Sequence, residues 1–227
     1  IFMVVLERDK SENARAYALR VLAYNIIHLE FKPGEALNEK EIASALQVSR
    51  TPVREALIEL IKSGLVNIIP QKGSYISKID YNIIEESRFV RLALELAVLK
   101  LVCNGIDDIY ILKLKSNIAE QELYGAQTSG AELITLDNNF HELLFEAVGK
   151  EWSYNILKAQ MSYFDRFRIL ILNSLDFSKT IQDHKNLLEA VIEKNYSLAE
   201  SIMIQHLGKK DSEKEKILSL YPDYFIQ

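Results

Sequence analysis

Residues 37–61 read LNEKEIASALQVSRTPVREALIELI, and this stretch decides the fold of the front of the chain. Its spacing predicts two short helices, 39–46 and one starting near Arg50, joined by a tight turn at Gln47-Val48. In the second helix Val53, Ala56, Leu57, Leu60 and Ile61 form one apolar stripe. Arg50, Thr51 and Arg54 are left on its exposed first turn. Ser49 or Thr51 can cap this helix, and Pro52 is tolerated in its first turn. A helix-turn-helix needs this layout, because the N-terminal turn of its second helix meets phosphates and base edges in the major groove. Sequence-specific binding to duplex DNA is the expected function.

Upstream, residues 14–29 predict an amphipathic helix. Ala18, Val21, Leu22, Asn25 and Leu29 share a face, with Asn25 the polar exception. Phe31-Lys32-Pro33-Gly34 stops it, since Pro and Gly break helices. Downstream, Ser63-Gly64 end the third helix. Residues 65–69 and 74–77 then read as two strands around Pro70-Gln71-Lys72-Gly73. A hairpin directly after a recognition helix describes a wing, and it must pack on the helices because a lone hairpin is marginal in water. From Asp80 the pattern is helical, near 80–103, 107–128, 131–148, 151–173, 177–194 and 196–220. The breaks fall at Gly105, Gly130, Gly149, Asp176 and Asn195-Tyr196. No proline lies between Pro70 and Pro222, which favours an uninterrupted bundle. The expected fold class is mainly α: a winged helix-turn-helix over 1–78 and an all-helical bundle over 79–227.

Composition is consistent with this reading. Hydrophobic residues make up 48% and charged residues 26%, ordinary for a soluble globular protein. No apolar run approaches the roughly 18 residues that span a membrane. The start, residues 1–6, is apolar but lacks a basic leader and a small-residue cleavage site, so no signal peptide is expected. Cys103 is alone, which fits a reducing cytoplasm. The net charge of −5 opposes nucleic-acid binding, but it is unevenly spread. Residues 1–78 hold 11 Lys+Arg against 9 Asp+Glu, and residues 79–227 hold 16 against 23. Local positive charge, not the total, sets phosphate attraction.

The stretches FKPGEALNE (31–39), VSRTPVREAL (48–57), Gly64-Leu65-Val66 and Gly73 together resemble the GntR family of bacterial transcription regulators. The helical back half is similar to the FadR-type branch, whose effector domain is the helical FCD domain. Arg91-Leu92-Ala93-Leu94-Glu95 matches the Arg-x-x-x-Glu signature near its start. The resemblance implies DNA contacts from Ser49, Arg50, Thr51 and Arg54 on the recognition helix, Lys40 on the preceding helix, and Lys72-Gly73 at the wing tip. It also implies a homodimer on a palindromic operator, and repression as the usual outcome. One departure stands out: the family usually holds Gly before Val48, where this chain has Gln47. If that position needs a positive φ, Gln is strained there, though the fold is expected to survive.

Three of the four histidines form a set with one aspartate. Asp137 and His141 sit at i and i+4 on one helix; His184 and His206 lie on two later helices, all among apolar neighbours. Three imidazoles and a carboxylate suit Zn²⁺, Ni²⁺ or Mn²⁺. Spacing alone does not separate this from ordinary core histidines. One FCD subgroup is similar in having an Asp-x-x-x-His helix and two later histidines as ligands, and all four positions are filled here. His28 lies outside the set. Open metal positions could take a small organic acid, with Arg91, Arg166 and Arg168 pairing its other oxygens; Tyr163 and Trp152 read as packing residues.

The leading expectation is a regulator whose operator affinity responds to that acid. A metal-dependent enzyme using the Asp/His₃ set is the alternative from another class. It leaves the winged helix unexplained, and no nucleophile constellation, supported general base or Gly-rich phosphate loop accompanies it. A third reading keeps DNA binding with a structural metal and an acyl-CoA effector.

Overall fold

The computed structural model describes residues 3–125, 130–174, 177–208 and 211–226. The chain divides into two compact units. One runs to Tyr81 and takes back the chain from Leu218 onward; the other spans Asn82–Ile217.

The first unit contains α1 (Ala14–Ile27), β1 (Ala36–Leu37), α2 (Glu39–Ala45), α3 (Arg50–Lys62), β2 (Val66–Ile69) and β3 (Gly73–Ile76). Helix α1 starts at Asn13, whose side chain accepts a hydrogen bond from the Ala16 amide at 2.8 Å. Its buried Ala18, Val21, Leu22 and Ile26 join Val53, Ala56, Leu57 and Leu60 of α3 in one core. Each fully buried Val, Leu or Ile contributes about 1.5–3 kcal/mol of transfer free energy. Asn25 is also fully buried. Its amide nitrogen donates to the carbonyls of Val4 and Val21, and its oxygen accepts from the Val4 amide, each at 2.8 Å. The polar exception thus fastens the leading segment to α1. Leu29 leaves the helix with φ 63° instead of extending its apolar face.

The wing is a three-stranded antiparallel sheet of order β1-β3-β2, with Val66 opposite Ile76 and Ala36 opposite Tyr75. Strand β1 goes beyond the expected hairpin. It forms because residues 31–36 do more than end α1. Phe31 is buried, the Gly34 amide donates to the Ile76 carbonyl at 2.9 Å, and the Ile76 amide donates to the Glu35 carbonyl at 2.8 Å. Beyond Leu218, a 3-10 turn at Pro222–Tyr224 brings Phe225 beside Ile79 in a parallel bridge. The Ile79 amide donates to Tyr224 O at 2.8 Å and the Ile226 amide to Ile79 O at 3.0 Å.

The second unit is built from α4 (Tyr81–Val102) after its first residue, α5 (Asp108–Gly125), α6 (Gly130–Glu146), α7 (Glu151–Ser174), α8 (Ser178–Ile192), α9 (Tyr196–Leu207) and α10 (Asp211–Leu220) up to Ile217. The expected break at Asp176 and the end of the 107–128 helix lie outside the described residues. The helix expected over 196–220 is two helices. Gly208 turns extended at the end of α9, and a Cβ there would meet the Ile204 carbonyl oxygen at 2.6 Å. Trp152 does not pack as expected: it is 76% exposed. His28 caps α1, with Nδ1 2.8 Å from the Tyr24 carbonyl and its ring stacked on Tyr24. Among the described residues no helix is long and apolar enough to cross a membrane.

Candidate DNA-reading face and candidate metal centre

In the first unit the expected DNA contacts are all exposed: Lys40, Ser49, Arg50, Thr51, Arg54, Lys72 and Gly73. Asn38 caps α2, accepting from the amides of Lys40 (3.0 Å) and Glu41 (3.4 Å). The turn into α3 passes through Gln47 at φ 55°, the left-handed region, so the conformation that usually selects glycine is adopted here by glutamine. Ser49 is the N-cap residue of α3, but its side chain makes no capping hydrogen bond. Ser49, Arg50 and Thr51 at this helix start are exposed, and the hydroxyl of Ser49 is not used as a cap. Arg54 is not a freely solvated side chain. Its Nε donates to Glu39 Oε2 at 2.6 Å, which tethers the guanidinium across the helix-turn-helix while the side chain stays 63% exposed. Glu59 is turned to Arg15 and Lys62, away from the α3 start.

In the second unit Asp137, His141, His184 and His206 come together. One donor atom from each lies within 4.8 Å of all the others. Helix α6 supplies the first two from adjacent turns, α8 supplies His184 and α9 supplies His206. Each imidazole turns Nδ1 to an oxygen. His141 Nδ1 makes a short contact with Glu95 Oε2, His184 Nδ1 is 2.8 Å from Gln121 Oε1, and His206 Nδ1 is 3.5 Å from Asp183 Oδ2. A ligand histidine needs its second nitrogen held by a hydrogen bond, as at His141 and His184, while Asp183 stands near that of His206.

Asn117 Nδ2 donates to the Leu136 carbonyl (3.0 Å), and Gln121 Nε2 donates to Asn117 Oδ1 (2.6 Å). Gln121 Oε1 is thus left to accept from His184 Nδ1–H, which puts a lone pair on His184 Nε2. That nitrogen is buried, finds no hydrogen-bond partner among the described residues, and faces Asp137 Oδ1 at 3.5 Å. His141 Nε2 and His206 Nε2 face each other at 3.2 Å. At His184 an acceptor is aimed at an acceptor, which a cation between them reconciles, and the His141–His206 spacing admits the same ion. Two nitrogens each about 2.1 Å from one metal, at an angle of about 100°, stand about 3.2 Å apart. The donor set therefore fits a divalent transition metal.

Protonation agrees. Burial pushes His141 down to about 4 against the pull of Glu95, and burial with the neighbouring His206 holds His184 well below its ordinary value. Both are neutral imidazoles at neutral pH. Burial alone would raise Asp137, but Arg168 leads the charges that hold it well below the carboxylate range. Glu95, likewise buried, is drawn down to about 2 by His141 and Arg91. A metal site needs these deprotonated forms.

The charges around Asp137 leave one carboxylate over. Arg91 Nε holds Glu95 at 2.6 Å, and Arg168 Nη1 holds Asp165 at 2.8 Å. Arg168 Nη2 also contacts Asp137, and Arg91 Nη2 lies 3.7 Å from it. Each arginine thus has a carboxylate before Asp137 is counted. Beside this cluster is a cavity of about 150 Å³, lined by Asp137 and His206 and by Arg88, Arg91 and Arg168. Arg166 is not among its lining residues. It is fully buried with its guanidinium 5.0 Å from the Tyr163 ring, and burial lowers it to about 10. Two residues along a helix turn a side chain by about 200°, so Arg166 and Arg168 cannot share a pocket. Arg88 lines the cavity instead. Sequence reasoning also passed over Glu95 as a site residue, and over Gln121 and Asp183. The one available signal for Arg88 was its i, i+3 spacing from Arg91.

The two halves of the chain match known families. Residues 18–76 match the bacterial regulatory proteins of the gntR family, and residues 86–209 match the FCD domain. The chain is 29% identical over 209 residues to the HTH-type transcriptional repressor RspR of Escherichia coli (strain K12), covering 92% of each. It is 32% identical over 201 residues to an HTH-type transcriptional regulator of Streptomyces ambofaciens, covering 88% of this chain and 84% of the relative. The solved structure of E. coli McbR/YncC shares the fold, with a TM-score of 0.75 at 17% identity, over 94% of this chain and 99% of the other.

Proposed function

Since the chain belongs to the GntR family of bacterial regulators and carries an FCD domain behind its DNA-binding region, we propose that it is a metal-dependent repressor controlled by a small organic acid. Its class is that of DNA-binding transcription regulators, not enzymes. The observation that carries the finer reading is the convergence of Asp137, His141, His184 and His206 beside a cavity that Arg88, Arg91 and Arg168 also line. Those four side chains would hold Zn²⁺, Ni²⁺ or Mn²⁺, and the ion would supply a Lewis-acid anchor for a carboxylate.

Charge supports the same reading. With Arg88 paired to Glu85 at 3.7 Å and Asp137 in excess, the site carries −1, a divalent ion brings it to +1, and one carboxylate neutralises it. Arg91 and Arg168 orient the acid's oxygens while keeping their own partners. A cavity of about 150 Å³ suits a ligand about the size of benzene and is far too small for an acyl-CoA. Operator contacts come from Lys40, Ser49, Arg50, Thr51, Arg54, Lys72 and Gly73, with the arginines pairing guanine edges or phosphates. Repression is supported by the name of the E. coli relative.

A homodimer is supported by α4, which leaves Ile83, Val90 and Leu101 exposed along one stripe, beside the face that buries Arg91, Glu95 and Val98. Effector binding then shifts operator affinity by a coupling of about 1–3 kcal/mol. Fluorescence anisotropy on duplexes selected from a random pool tests this, with chelated, Zn²⁺-loaded and acid-supplemented protein. Operator affinity should change at least fivefold between metal-loaded states with and without a bound acid. Identical affinities across all three states refute the sensory role, and a monomer in light scattering refutes the dimer.

A further inference from the structure

Resting on the reading of a carboxylate held at the metal, we propose that the effector is a monocarboxylate with a compact apolar body, aromatic or branched-chain, and not a polyhydroxy or dicarboxylic acid. The cavity has two chemistries. Its buried end presents Asp137, Arg91 and Arg168, with Arg88 beside them. The Arg88 guanidinium is held at this end by Nη1, which donates to the Gly208 carbonyl at 3.2 Å and lies 3.7 Å from Glu85. Its walls are Phe164, Ile171, Leu172, Phe177 and Leu207.

The wall residues offer no side-chain hydrogen-bonding group. Thr180 is the only hydroxyl-bearing residue lining the cavity among the described residues, while Lys179 is exposed and Glu213 half-buried, on the solvent side. A sugar acid would bring several hydroxyls to that wall, and each one stripped of water without a partner costs about tenfold in affinity. An apolar body gains there instead, by about fourfold for each methylene equivalent buried. The charge count points the same way, because one carboxylate neutralises the metal-loaded site. The volume of about 150 Å³ admits one benzene-sized group.

Titration calorimetry on the full-length, Zn²⁺-reconstituted chain tests this with acetate, isovalerate, benzoate, succinate and gluconate. Benzoate or isovalerate should bind at least tenfold more tightly than acetate, and at least tenfold more tightly than gluconate or succinate. Leu172→Ser, at a half-buried wall position, should weaken the tighter of the two apolar acids about tenfold and leave acetate unchanged. Gluconate or succinate binding as tightly as benzoate and isovalerate overturns the inference while leaving the carboxylate-at-metal reading intact. An equal loss for acetate and the apolar acid in Leu172→Ser also overturns it. Failure of every acid to bind the metal-loaded protein overturns both.

Discussion

Replacing Asp137 by Asn should separate the metal's contribution from that of the fold. The substitution keeps the side-chain shape and removes one negative charge. In the chelated protein little else is disturbed, because Arg91 keeps Glu95 and Arg168 keeps Asp165. The loss of one charge-assisted hydrogen bond from Arg168, about 1.5–3 kcal/mol, is offset by no longer burying a surplus carboxylate. A net change below about 2 kcal/mol is therefore expected without metal. With metal the effect is larger, since Asp137 is the sole anionic member of the donor set. Disturbing a residue that merely supports a ligand costs about 10–100-fold in metal affinity, so losing this one should cost about 100-fold or more. At free metal about 1,000 times the wild-type Kd, the native site gains about 4.1 kcal/mol and the variant about 1.4 kcal/mol. For a helical unit of this size the difference corresponds to a metal-induced rise in Tm smaller by about 10 °C. Calorimetric melting of both proteins, with chelator and with excess Zn²⁺, measures it. Equal metal-induced shifts in the two proteins would refute the assignment of Asp137, and a wild type indifferent to every metal tried would refute the site.

Three further outcomes concern the DNA-binding unit. Arg54→Ala should weaken operator binding by about 1–3 kcal/mol, read by anisotropy titration, and unchanged affinity removes Arg54 from the interface. Gln47→Gly should stabilise this unit by about 0.5–1 kcal/mol, because relief of the left-handed strain of about 1–2 kcal/mol exceeds the added freedom of the unfolded chain; Gln47 is exposed, so no packing is lost, and a lower urea midpoint in circular dichroism contradicts the account. Phe225→Ala, which empties a buried position beside Ile79, should destabilise the same unit by about 3–5 kcal/mol. Faster hydrogen exchange in β2 and β3 is the expected sign, and unchanged protection there means the returning segment does not support the unit.

The winged helix was legible because its signals are local. Apolar spacing in α3, the stop at Pro33-Gly34 and the Pro70–Gly73 turn each act over a few residues. What escaped depends on partners distant in sequence. Strand β1 has two residues, too few for alternation, and exists only because Gly34 and Glu35 bond to Ile76 across the sheet. The split between α9 and α10 lay at a visible glycine, but that a side chain is excluded there comes from the carbonyl of Ile204. The return of Phe225 to Ile79 has no local signature at all, since strand pairing across such a separation is set by tertiary packing.

The candidate site was legible to a different depth. Scarcity of histidine and the i, i+4 pair on α6 pointed to four donors, and the fold brings all four together. The groups that orient them could not be read as such: Glu95 stood out only as part of the Arg-x-x-x-Glu signature, and Gln121 and Asp183 act on imidazoles that sequence cannot bring near them. They matter as much as the donors. Without the chain from the Leu136 carbonyl through Asn117 and Gln121, His184 could present N–H in place of a lone pair. Without Glu95, the same ambiguity returns at His141. Arg166 is the opposite case, where helix geometry alone was decisive and a count of basic residues misled. The charge that makes the site ask for a cation is likewise a property of pairings: Asp137 is in excess only once Arg91 is seen on Glu95 and Arg168 on Asp165.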